Sequence, residues 1–447
     1  MKVRCKKESE VSEINLFNYQ QSLFERICSI EQLELAFKAV KSNGGAPGVD
    51  GVTVEEFARQ LPQELGRLKK ELESWTYKPS PVRRVEIPKP GNAGIRLLGI
   101  PTISDRVVHT AIKAVIEPIL DPPFSKNSYG FRPGKNQRQA VEAAQKIVQS
   151  GKEHVVDIDL SKFFDRIHQD RLISRLGLFI GDKRVLRLIG MTLRSGIMKD
   201  GLVTIPTEGS VQGSPLSPLL SNVVLDELDK ELESRGLEFC RFADDCNIFV
   251  GSQAAAERVM RSITKFIEKR LKLVVNQEKS KVAMSKFVKF LGMTIIAGTI
   301  AISAKSMQRA MDKVKELTPR GTSQTIEQTI VKTNKWYKGW AAYHKMGQYP
   351  SQLATIEAHI RRRLRSRLVS EQKKRRHLFN TLVKHGVPRG MTAKAVFSNR
   401  KRWALSHTKA VERAYPNRWF IHTFGQAIAS TEQHPHWFAL KTWIKLT

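Results

Sequence analysis

The sequence predicts an α+β fold built around a ferredoxin-like sheet, the split βαβ arrangement, followed by a helical region. Two observations support this fold class. Strand-like and helix-like segments alternate in the order β-α-β-β-α-β over residues 154–282. After residue 301, apolar residues recur mainly at helical spacing, and lysine and arginine occur throughout. A chain of 447 residues has enough material for two or three domains.

Ahead of this sheet, the apolar pattern predicts helices over residues 30–40, 54–75 and 104–120, with a further helix inside residues 14–30. Residues 78–101 are interrupted by proline and rich in β-prone residues, which favours strands. Within the split βαβ segment we expect, in chain order, a strand, a helical region, a hairpin, a helix and a short strand: residues 155–160, 168–193, 238–250, 257–271 and 273–275.

The hairpin carries two adjacent acids, Asp244 and Asp245, in the run Phe-Ala-Asp-Asp at residues 242–245. Apolar, β-prone segments flank this run, which predicts that the acids lie at or beside the turn. In a split βαβ sheet the first strand lies next to the hairpin, so Asp159 is expected to meet both acids. Asp157 shares a face of the first strand with Asp159, because side chains alternate along a strand, and the residues alone do not choose between the two.

Neighbouring carboxylates repel one another and are costly to desolvate, so a compensating charge is expected at this site. Hard divalent cations such as Mg²⁺ prefer carboxylate oxygens. Two such ions about 4 Å apart can activate an attacking hydroxyl and stabilise the leaving oxygen of an in-line phosphoryl transfer. The alternative is a solvated Asp-Asp turn without chemistry.

The charge of the chain is strongly positive and unevenly placed. Its 75 Lys+Arg and 43 Asp+Glu give +32, and 29 basic but 7 acidic residues lie after residue 300. Such a field attracts polyanions and favours nucleic acid as the partner. The densest basic runs are residues 361–367 and 373–376, and six of the seven tryptophans share their region. The alternatives are solvated helix faces, tryptophans in a core, and a basic protein of the membrane surface or the ribosome.

Other classes of protein are disfavoured by composition. No stretch of about 18 apolar residues occurs, so a membrane span is not expected. The basic residues 1–7 precede no apolar segment, so a secretory signal is not expected either. Cys5, Cys28, Cys240 and Cys246 form no C-x-x-C pair, which argues against a zinc module or a disulfide framework and fits a reducing, cytoplasmic setting.

Ten short blocks occur in order along the chain: residues 44–51, 83–90, 96–101, 105–108, 128–134, 159–165, 212–218, 242–245, 276–280 and 290–292. In these blocks the chain resembles the group II intron-encoded reverse transcriptases, or a stand-alone relative of them. The segment at residues 336–344 resembles the thumb, or maturase, part of that family.

The resemblance implies a right-hand polymerase with a split βαβ palm, fingers with an N-terminal extension, a helical thumb and a basic helical C-terminal region. The implied domains are an N-terminal extension, fingers and palm, a thumb or maturase domain, and a basic DNA-binding-like region: residues 1–75, 76–300, 301–370 and 371–447. The implied reaction is RNA-templated DNA synthesis, in which a primer 3′-hydroxyl attacks the α-phosphate of a dNTP. The implied partners are an RNA template, intron RNA, a DNA or RNA primer, dNTPs and target DNA, with no membrane.

The resemblance also implies catalytic residues. It makes Asp159 the acid of the first strand and leaves Asp157 as support. Asp159, Asp244 and Asp245 would hold two Mg²⁺ ions, or Mn²⁺ in their place. The Leu160 carbonyl would be a further ligand.

Nucleotide binding is implied for six residues: Lys89, Arg96, Phe164, Gln212, Gly213 and Lys279. Lys89 and Arg96 would pair with the triphosphate. Phe164 would exclude a ribose 2′-hydroxyl. Gln212 and Gly213 would pack near the templating base pair, and Lys279 would approach the leaving pyrophosphate. The alternatives are a solvated fingers surface for Lys89 and Arg96, a core position for Phe164 and an exposed charge for Lys279.

Nucleic-acid contact is implied more loosely, by charge and position, for six basic residues: Arg361, Arg362, Arg363, Lys373, Lys374 and Arg375. Phe242 stands where the family usually has Tyr; this removes a hydroxyl but no metal ligand, so activity is expected to survive. The chain lacks the cysteine pairs and nuclease motif of relatives with an HNH endonuclease domain, so DNA cleavage is not expected. Two other hypotheses stay open: an RNA-binding maturase only, and a host-adopted reverse transcriptase in repair or defence.

Overall fold

The computed structural model describes residues 22–88, 94–199, 201–204, 208–209, 213–319, 321–417 and 419–420. The chain divides into two compact units, Met1–Val288 and Lys289–Thr447. Each unit has a hydrophobic core of its own.

The described part of the first unit begins with four helices: α1 (Leu23–Cys28), α2 (Ile30–Asn43), α3 (Val54–Arg59) and α4 (Leu61–Glu73). Ser22 and Thr53 each form a capping box with a glutamate three residues later, which fixes the starts of α1 and α3. The single helix predicted over residues 54–75 is wrong in one respect, because it is two helices. Gln60 leaves helical geometry at φ −112°, and Pro62, which has no N–H to donate, cannot continue α3.

Strands form where the proline-broken region predicted them, in the fingers part of the chain. The sheet consists of four strands: β1 (Val82–Pro88), β2 (Ile95–Ile100), β4 (Ile197–Lys199) and β5 (Leu202–Thr204). Their order is β2-β1-β4-β5, with β1 antiparallel to β2 and parallel to β4. The connection between β1 and β2, which includes Lys89, lies outside the described residues.

The palm sheet has the predicted split βαβ topology. Its strands are β3 (His154–Ile158), β6 (Glu238–Phe242), β7 (Asp245–Val250) and β8 (Lys281–Met284). They are ordered β6-β7-β3-β8, and every neighbouring pair is antiparallel. The first strand therefore lies directly beside the second strand of the hairpin, as expected.

The last palm strand was predicted in the wrong place. Residues 273–275 form no strand but a single bridge between Leu160 and Val275, and β8 begins at residue 281. The reason is local: the Leu273 N–H donates to the Ile267 carbonyl in the last turn of the preceding helical segment. Lys272, at φ 59°, ends that segment. Because the Leu273 N–H is already hydrogen-bonded within it, this N–H is not available to a neighbouring strand.

Six further α-helices lie in the described part of the first unit: α5 (Ile103–Leu120), α6 (Gln137–Gln149), α7 (Gln169–Leu176), α8 (Lys183–Leu193), α9 (Ser217–Ser234) and α10 (Gln253–Phe266). Helices α9 and α10 pack against the palm sheet, and Val156, Ile158 and Ile248 belong to their core. Side chains alternate along a strand, so Asp157 and Asn247 point to the opposite face. The helices thus cover one face of the sheet, and Asp157 of β3 stands on the other.

The second unit is mainly helical, as predicted. It opens with a hairpin of β9 (Met293–Ile296) and β10 (Thr299–Ile302). Seven helices follow in its described part: α11 (Ala304–Leu317), α12 (Ile326–His344), α13 (Pro350–Glu371), α14 (Arg375–Lys384), α15 (Arg389–Val396), α16 (Arg402–Leu405) and α17 (Lys409–Ala414). Trp336, Trp340 and Trp419 are partly buried against its core, whereas Trp437 and Trp443 lie outside the described residues.

Two compositional expectations can be compared with the described residues. None of their helices is long and apolar enough to cross a membrane. Cys28, Cys240 and Cys246 are buried free thiols, and Cys5 lies outside the described part of the chain.

Candidate active site

Strands β6 and β7 are joined by a two-residue turn, Ala243 and Asp244, and Asp245 begins β7. Phe242 pairs with Asp245 across the turn. Ala243 has φ 58°, a left-handed conformation that costs a residue with a Cβ on the order of 1 kcal/mol. The two acids therefore lie at the turn and beside it, as the hairpin pattern predicts, and the turn itself is strained.

Asp159 follows β3 and is held by the turn at residues 276–280. Its N–H donates to Ser280 Oγ at 3.0 Å, and its carbonyl accepts from the Asn276 N–H at 2.8 Å. Leu160 is buried and bridges to Val275. The backbone on both sides of the acid is thus fixed, while about a third of the Asp159 side chain, 35%, stays exposed.

The acids act on one another electrostatically. Burial and the charge of Asp159 raise the pKa of Asp244, and Arg96 and Arg241 oppose that rise. Burial, Asp245 and Asp159 raise the pKa of Asp157 to about 6, against the opposing charge of Lys281. Acids from two separate stretches of the chain therefore share one site.

The donor chemistry of this site suits a hard divalent cation. Every acid in it supplies carboxylate oxygens, and their mutual repulsion is what a cation would relieve. Within the described residues, no group of three or more His, Cys, Asp or Glu side chains is arranged as a metal centre. Lys279 lies 3.8 Å from Asp159 (Nζ to Oδ1) and stays 62% exposed.

Four of the six residues assigned to nucleotide binding lie in the described part of the chain. Arg96 is an exposed residue of β2, close enough to lower the pKa of Asp244. Phe164 lies in a 3₁₀ turn, partly buried, edge-on to Phe163 at 5.2 Å between ring centroids. Lys89 and Gln212 lie outside the described residues.

Gly213 lies so close to the backbone of β2 that its position suits glycine. It has φ 124°, and a Cβ placed on it would lie 2.3 Å from the Gly99 carbonyl oxygen. The next residue, Ser214, is hydrogen-bonded through Oγ to His109 Nδ1 at 3.0 Å. His109 is fully buried, and burial lowers its pKa to about 4. A neutral imidazole of α5 therefore anchors the turn that presses on β2.

Arg241, which no sequence motif above includes, organises the turn that carries Asp244. Its side chain is 1% exposed and forms a two-pronged ion pair with Asp229 of α9, at 2.7 Å from Nε and 2.5 Å from Nη2. The same guanidinium donates to the Ala243 carbonyl at 2.9 Å, to Asn222 Oδ1 at 3.0 Å and to Ser128 Oγ at 2.7 Å. A single buried cation thus ties the turn to α9 and to the segment at residue 128.

Gly130 brings that segment directly onto the turn. A Cβ on Gly130 would lie 2.2 Å from the Ala243 nitrogen, so only glycine fits without a backbone shift. Asn222 Nδ2 donates to the Gly130 carbonyl at 2.9 Å. The neighbouring Phe131, 47% exposed and at φ 58°, lies 6.4 Å from the Phe242 ring. The aromatic residue that replaces the usual tyrosine therefore has an apolar neighbour.

One signal in the sequence could have exposed the role of Arg241. Arg241 lies on the same strand face as Phe239 and Ala243, the face that packs on the helices. An unpaired cation would be very costly there. An arginine on a core face implies a buried acid elsewhere. The pattern does not say which acid, because Asp229 belongs to another element.

The basic residues assigned to nucleic-acid contact differ in their surroundings. Arg361 pairs with Glu357 at 3.6 Å, and Arg363 donates to the Thr318 carbonyl at 2.5 Å. Three of the six have other settings: Arg362 stacks on a tryptophan, and Lys373 and Lys374 are exposed.

Arg375 donates to the Val396 carbonyl at 2.6 Å and also to the carbonyls of Ser398 and Arg400. The guanidinium of Arg375 therefore caps the end of α15.

Breaking the buried ion pair should destabilise the first unit. We expect Asp229→Ala to lower the free energy of unfolding by about 3–5 kcal/mol, because it leaves the Arg241 charge buried and unpaired. The matched control is Glu231→Ala in the same helix, which removes a surface pair with Arg235 and should cost at most about 1 kcal/mol. Urea unfolding of both variants checks this; equal losses would contradict it.

The buried imidazole of His109 predicts a pH dependence. Its pKa is about 4 in the folded protein, against about 6.5 in an unfolded chain, so its contribution to stability is complete above pH 6.5 and is lost as pH falls toward 4. Between pH 7.5 and pH 5, His109→Gln should lose about 2 kcal/mol less unfolding free energy than the wild type. Urea titrations at both pH values measure this difference; parallel losses in the two proteins would contradict it.

Two parts of the chain match known protein families. Residues 87–295 match the family described as "Reverse transcriptase (RNA-dependent DNA polymerase)", and residues 307–384 match "Group II intron, maturase-specific domain". Protein YkfC of Escherichia coli (strain K12) is 33% identical over 302 residues, which cover 59% of this chain and 79% of that protein.

Two further relatives are matched over less of their own length. Group II intron-encoded protein LtrA of Lactococcus lactis subsp. cremoris is 29% identical over 278 residues, 62% of this chain and 45% of LtrA. A chain of the solved partial Cas6-RT-Cas1–Cas2 complex is 28% identical, with a TM-score of 0.37, over 56% of this chain and 43% of that one. The family matches and the coverage of YkfC confirm the resemblance: this chain belongs to the reverse transcriptases encoded by group II introns, with a polymerase domain and a maturase-specific domain.

Proposed function

We propose that the chain copies RNA into DNA at Asp159, Asp244 and Asp245, with two Mg²⁺ ions as cofactors and Mn²⁺ as the substitute. The observation that carries the proposal is the antiparallel pairing of β3 with β7, in which Ile158 lies opposite Cys246. Asp159 and Asp245, which are far apart in sequence, therefore each lie next to a paired residue at the same end of the sheet. When bound, the ions would supply charge that lowers the pKa of the primer hydroxyl and stabilises the leaving oxygen. Asp159, Asp244 and Asp245 would hold these ions, with the Leu160 carbonyl as a further ligand.

Other residues have supporting roles in this proposal. Arg96 and Lys89 bind the triphosphate, since charge-assisted hydrogen bonds to phosphate are strong. Lys279, already attracted to Asp159, stabilises the leaving pyrophosphate or gives it a proton.

The remaining roles concern the sugar and the templating base. Phe164 excludes a ribose 2′-hydroxyl by its bulk. Gln212 and Gly213 contact the new base pair, and the His109 bond to Ser214 supports this turn.

The proposed partners follow from the chemistry and the charge of the chain. They are an RNA template, a DNA or RNA primer, dNTPs, intron RNA and target DNA, reached in the cytoplasm or the interior of an organelle. We propose the domain division stated from the sequence: residues 1–75, 76–300, 301–370 and 371–447. Arg361, Arg362, Arg363, Lys373, Lys374 and Arg375 are proposed to contact nucleic-acid backbones, without reading sequence.

A second activity is favoured by the maturase-specific domain at residues 307–384. We propose that the same chain binds the RNA of its own intron and assists its splicing. A host-adopted reverse transcriptase in repair or defence is the alternative. Inspection of the flanking DNA for the catalytic domains of an intron distinguishes the two.

Removal of either central acid should abolish primer extension. We expect Asp159→Ala and Asp244→Ala to lower the rate of dNTP incorporation on an RNA template by at least about a thousandfold, because metal coordination contributes several kcal/mol to the transition state. Binding of the RNA template, measured by filter retention, should change by less than about twofold. The matched control is Asp170→Ala, an exposed acid paired with Arg194 at the surface. Extension by either variant at the wild-type rate would refute the assignment.

Splicing should be separable from polymerisation. We expect Asp244→Ala to promote splicing of the cognate intron RNA at the wild-type rate, because RNA binding does not use the metal ligands. A splicing time course with purified protein measures this. A variant that loses splicing along with extension would contradict the separation.

A further inference from the structure

The arginines of α13 are not one uniform charged face. Apart from Arg361 and Arg363, whose contacts are given above, Arg365 donates to the Tyr415 carbonyl at 2.9 Å and Arg367 pairs with Glu371 at 3.2 Å. Arg365 also bonds to Asn417. The contacts of Arg363 and Arg365 link α13 to other elements of the second unit. Arg367 does the same by donating to Thr329 Oγ1 and the Gln324 carbonyl, whereas the pairs with Glu357 and Glu371 lie within α13. Most of the run at residues 361–367 is therefore engaged in holding this unit together.

Arg362 differs from its neighbours. Its guanidinium carbon lies 4.3 Å from the ring centroid of Trp403, within the distance of a cation–π contact. Within the described residues it has no acidic partner and no hydrogen bond, and its Nε is buried without a partner. The side chain as a whole is partly exposed. A guanidinium without an acidic partner is suited to bind a planar or tetrahedral anion.

Other basic side chains lie near Arg362. His359, one turn earlier on the same helix, stands edge-on to Trp403 at 6.4 Å, and its Nε2 is also buried without a partner. Burial, and then the charges of Arg363, Lys315 and Arg362, lower the pKa of His359. The nearby acid Asp312 is 2.9 Å from Lys315 and balances one of these charges. The cluster keeps an excess of positive charge around two unpaired nitrogen atoms.

We propose that Arg362, His359 and Lys315 form a phosphate site, backed by Trp403, that binds one phosphodiester group of an RNA strand. The inference rests on the proposed function, because it names where in the second unit RNA is held. Arg362 offers N–H donors that have no acidic partner within the described residues, and a bound anion supplies that partner. The site reads the phosphate group and not the base, so it is expected to be indifferent to sequence.

The salt dependence of RNA binding tests this site. The probe is a labelled single-stranded RNA oligonucleotide of mixed sequence, and Kd is measured from 50 to 300 mM KCl. Arg362→Gln should weaken binding about five- to tenfold at 0.1 M salt and should lower the slope of log K against log [KCl] by about 0.7, which corresponds to one phosphate contact. Lys313→Gln, whose wild-type residue is paired with Glu316 at the surface of the same unit, is the control and should leave the slope within error of wild type.

The conservative variant separates charge from packing. Arg362→Lys keeps one positive charge but not the planar fork, so the slope should be retained while affinity falls in part. A slope that is the same in wild type and Arg362→Gln would overturn the proposal. A DNA oligonucleotide of the same sequence should show the same loss of slope, because the phosphodiester is identical in both; no loss with either strand overturns the site.

The histidine gives a readout that misfolding would not imitate. A bound phosphate favours the imidazolium form, so saturating RNA should raise the pKa of His359. An NMR titration measures this pKa, and the signal missing from the His359→Gln spectrum assigns the resonance. An unchanged pKa while RNA is bound would overturn the site. If the wild-type chain bound no RNA at all, the proposed function would fail; if it bound RNA and extended primers but Arg362→Gln behaved as wild type, this inference alone would fail.

Discussion

A buried ion pair between Arg241 and Asp229 holds the turn at Ala243 and Asp244 in place. Both side chains are almost wholly removed from water, which is costly for charged groups unless every donor and acceptor is satisfied. Arg241 meets that condition by binding Asp229, Asn222, Ser128 and the Ala243 carbonyl together. The turn has little freedom to move, because moving any one of these groups would leave a buried charge or donor of Arg241 without its partner. The strained φ of Ala243 persists because this network and the close approach of Gly130 determine the turn from two sides.

Charged side chains on the two faces of the palm sheet are balanced in different ways. On the face that packs against the helices, Arg241 is neutralised completely within the protein. On the other face, burial and the neighbouring acids raise the pKa of Asp157 and of Asp244, while Lys281 opposes the first shift and Arg96 the second. The alternation of side chains along β3 and β7 produces this separation. An acid cluster left partly uncompensated on an accessible face is suited to bind cations and the phosphates they accompany, which is the chemistry of this family.

The second unit uses its arginines in two ways. Arg363 and Arg375 bind backbone carbonyls at the ends of helices, where unsatisfied acceptors and the helix dipole attract cations. Arg362 is stacked on Trp403 without an acidic partner in the described residues. A basic run in a sequence therefore combines cations that stabilise the fold with cations available to a polyanion, and the contacts of each guanidinium distinguish them.

The sequence by itself determined the order of the palm elements, the hairpin with its acids at the turn, the helical character of the second unit and the family. These properties depend on local periodicity and on residue types within short blocks, both of which can be read along the chain. The position of the last palm strand, the break at Gln60, the role of Arg241 and the different partners of Arg361, Arg362 and Arg363 were decided only by the tertiary structure. Each of the last two depends on which residue from a distant element arrives opposite a given side chain, and a local pattern carries no information about that partner. Burial then sets how strongly the two groups interact, because the same charges are nearly independent in water and tightly coupled in the core.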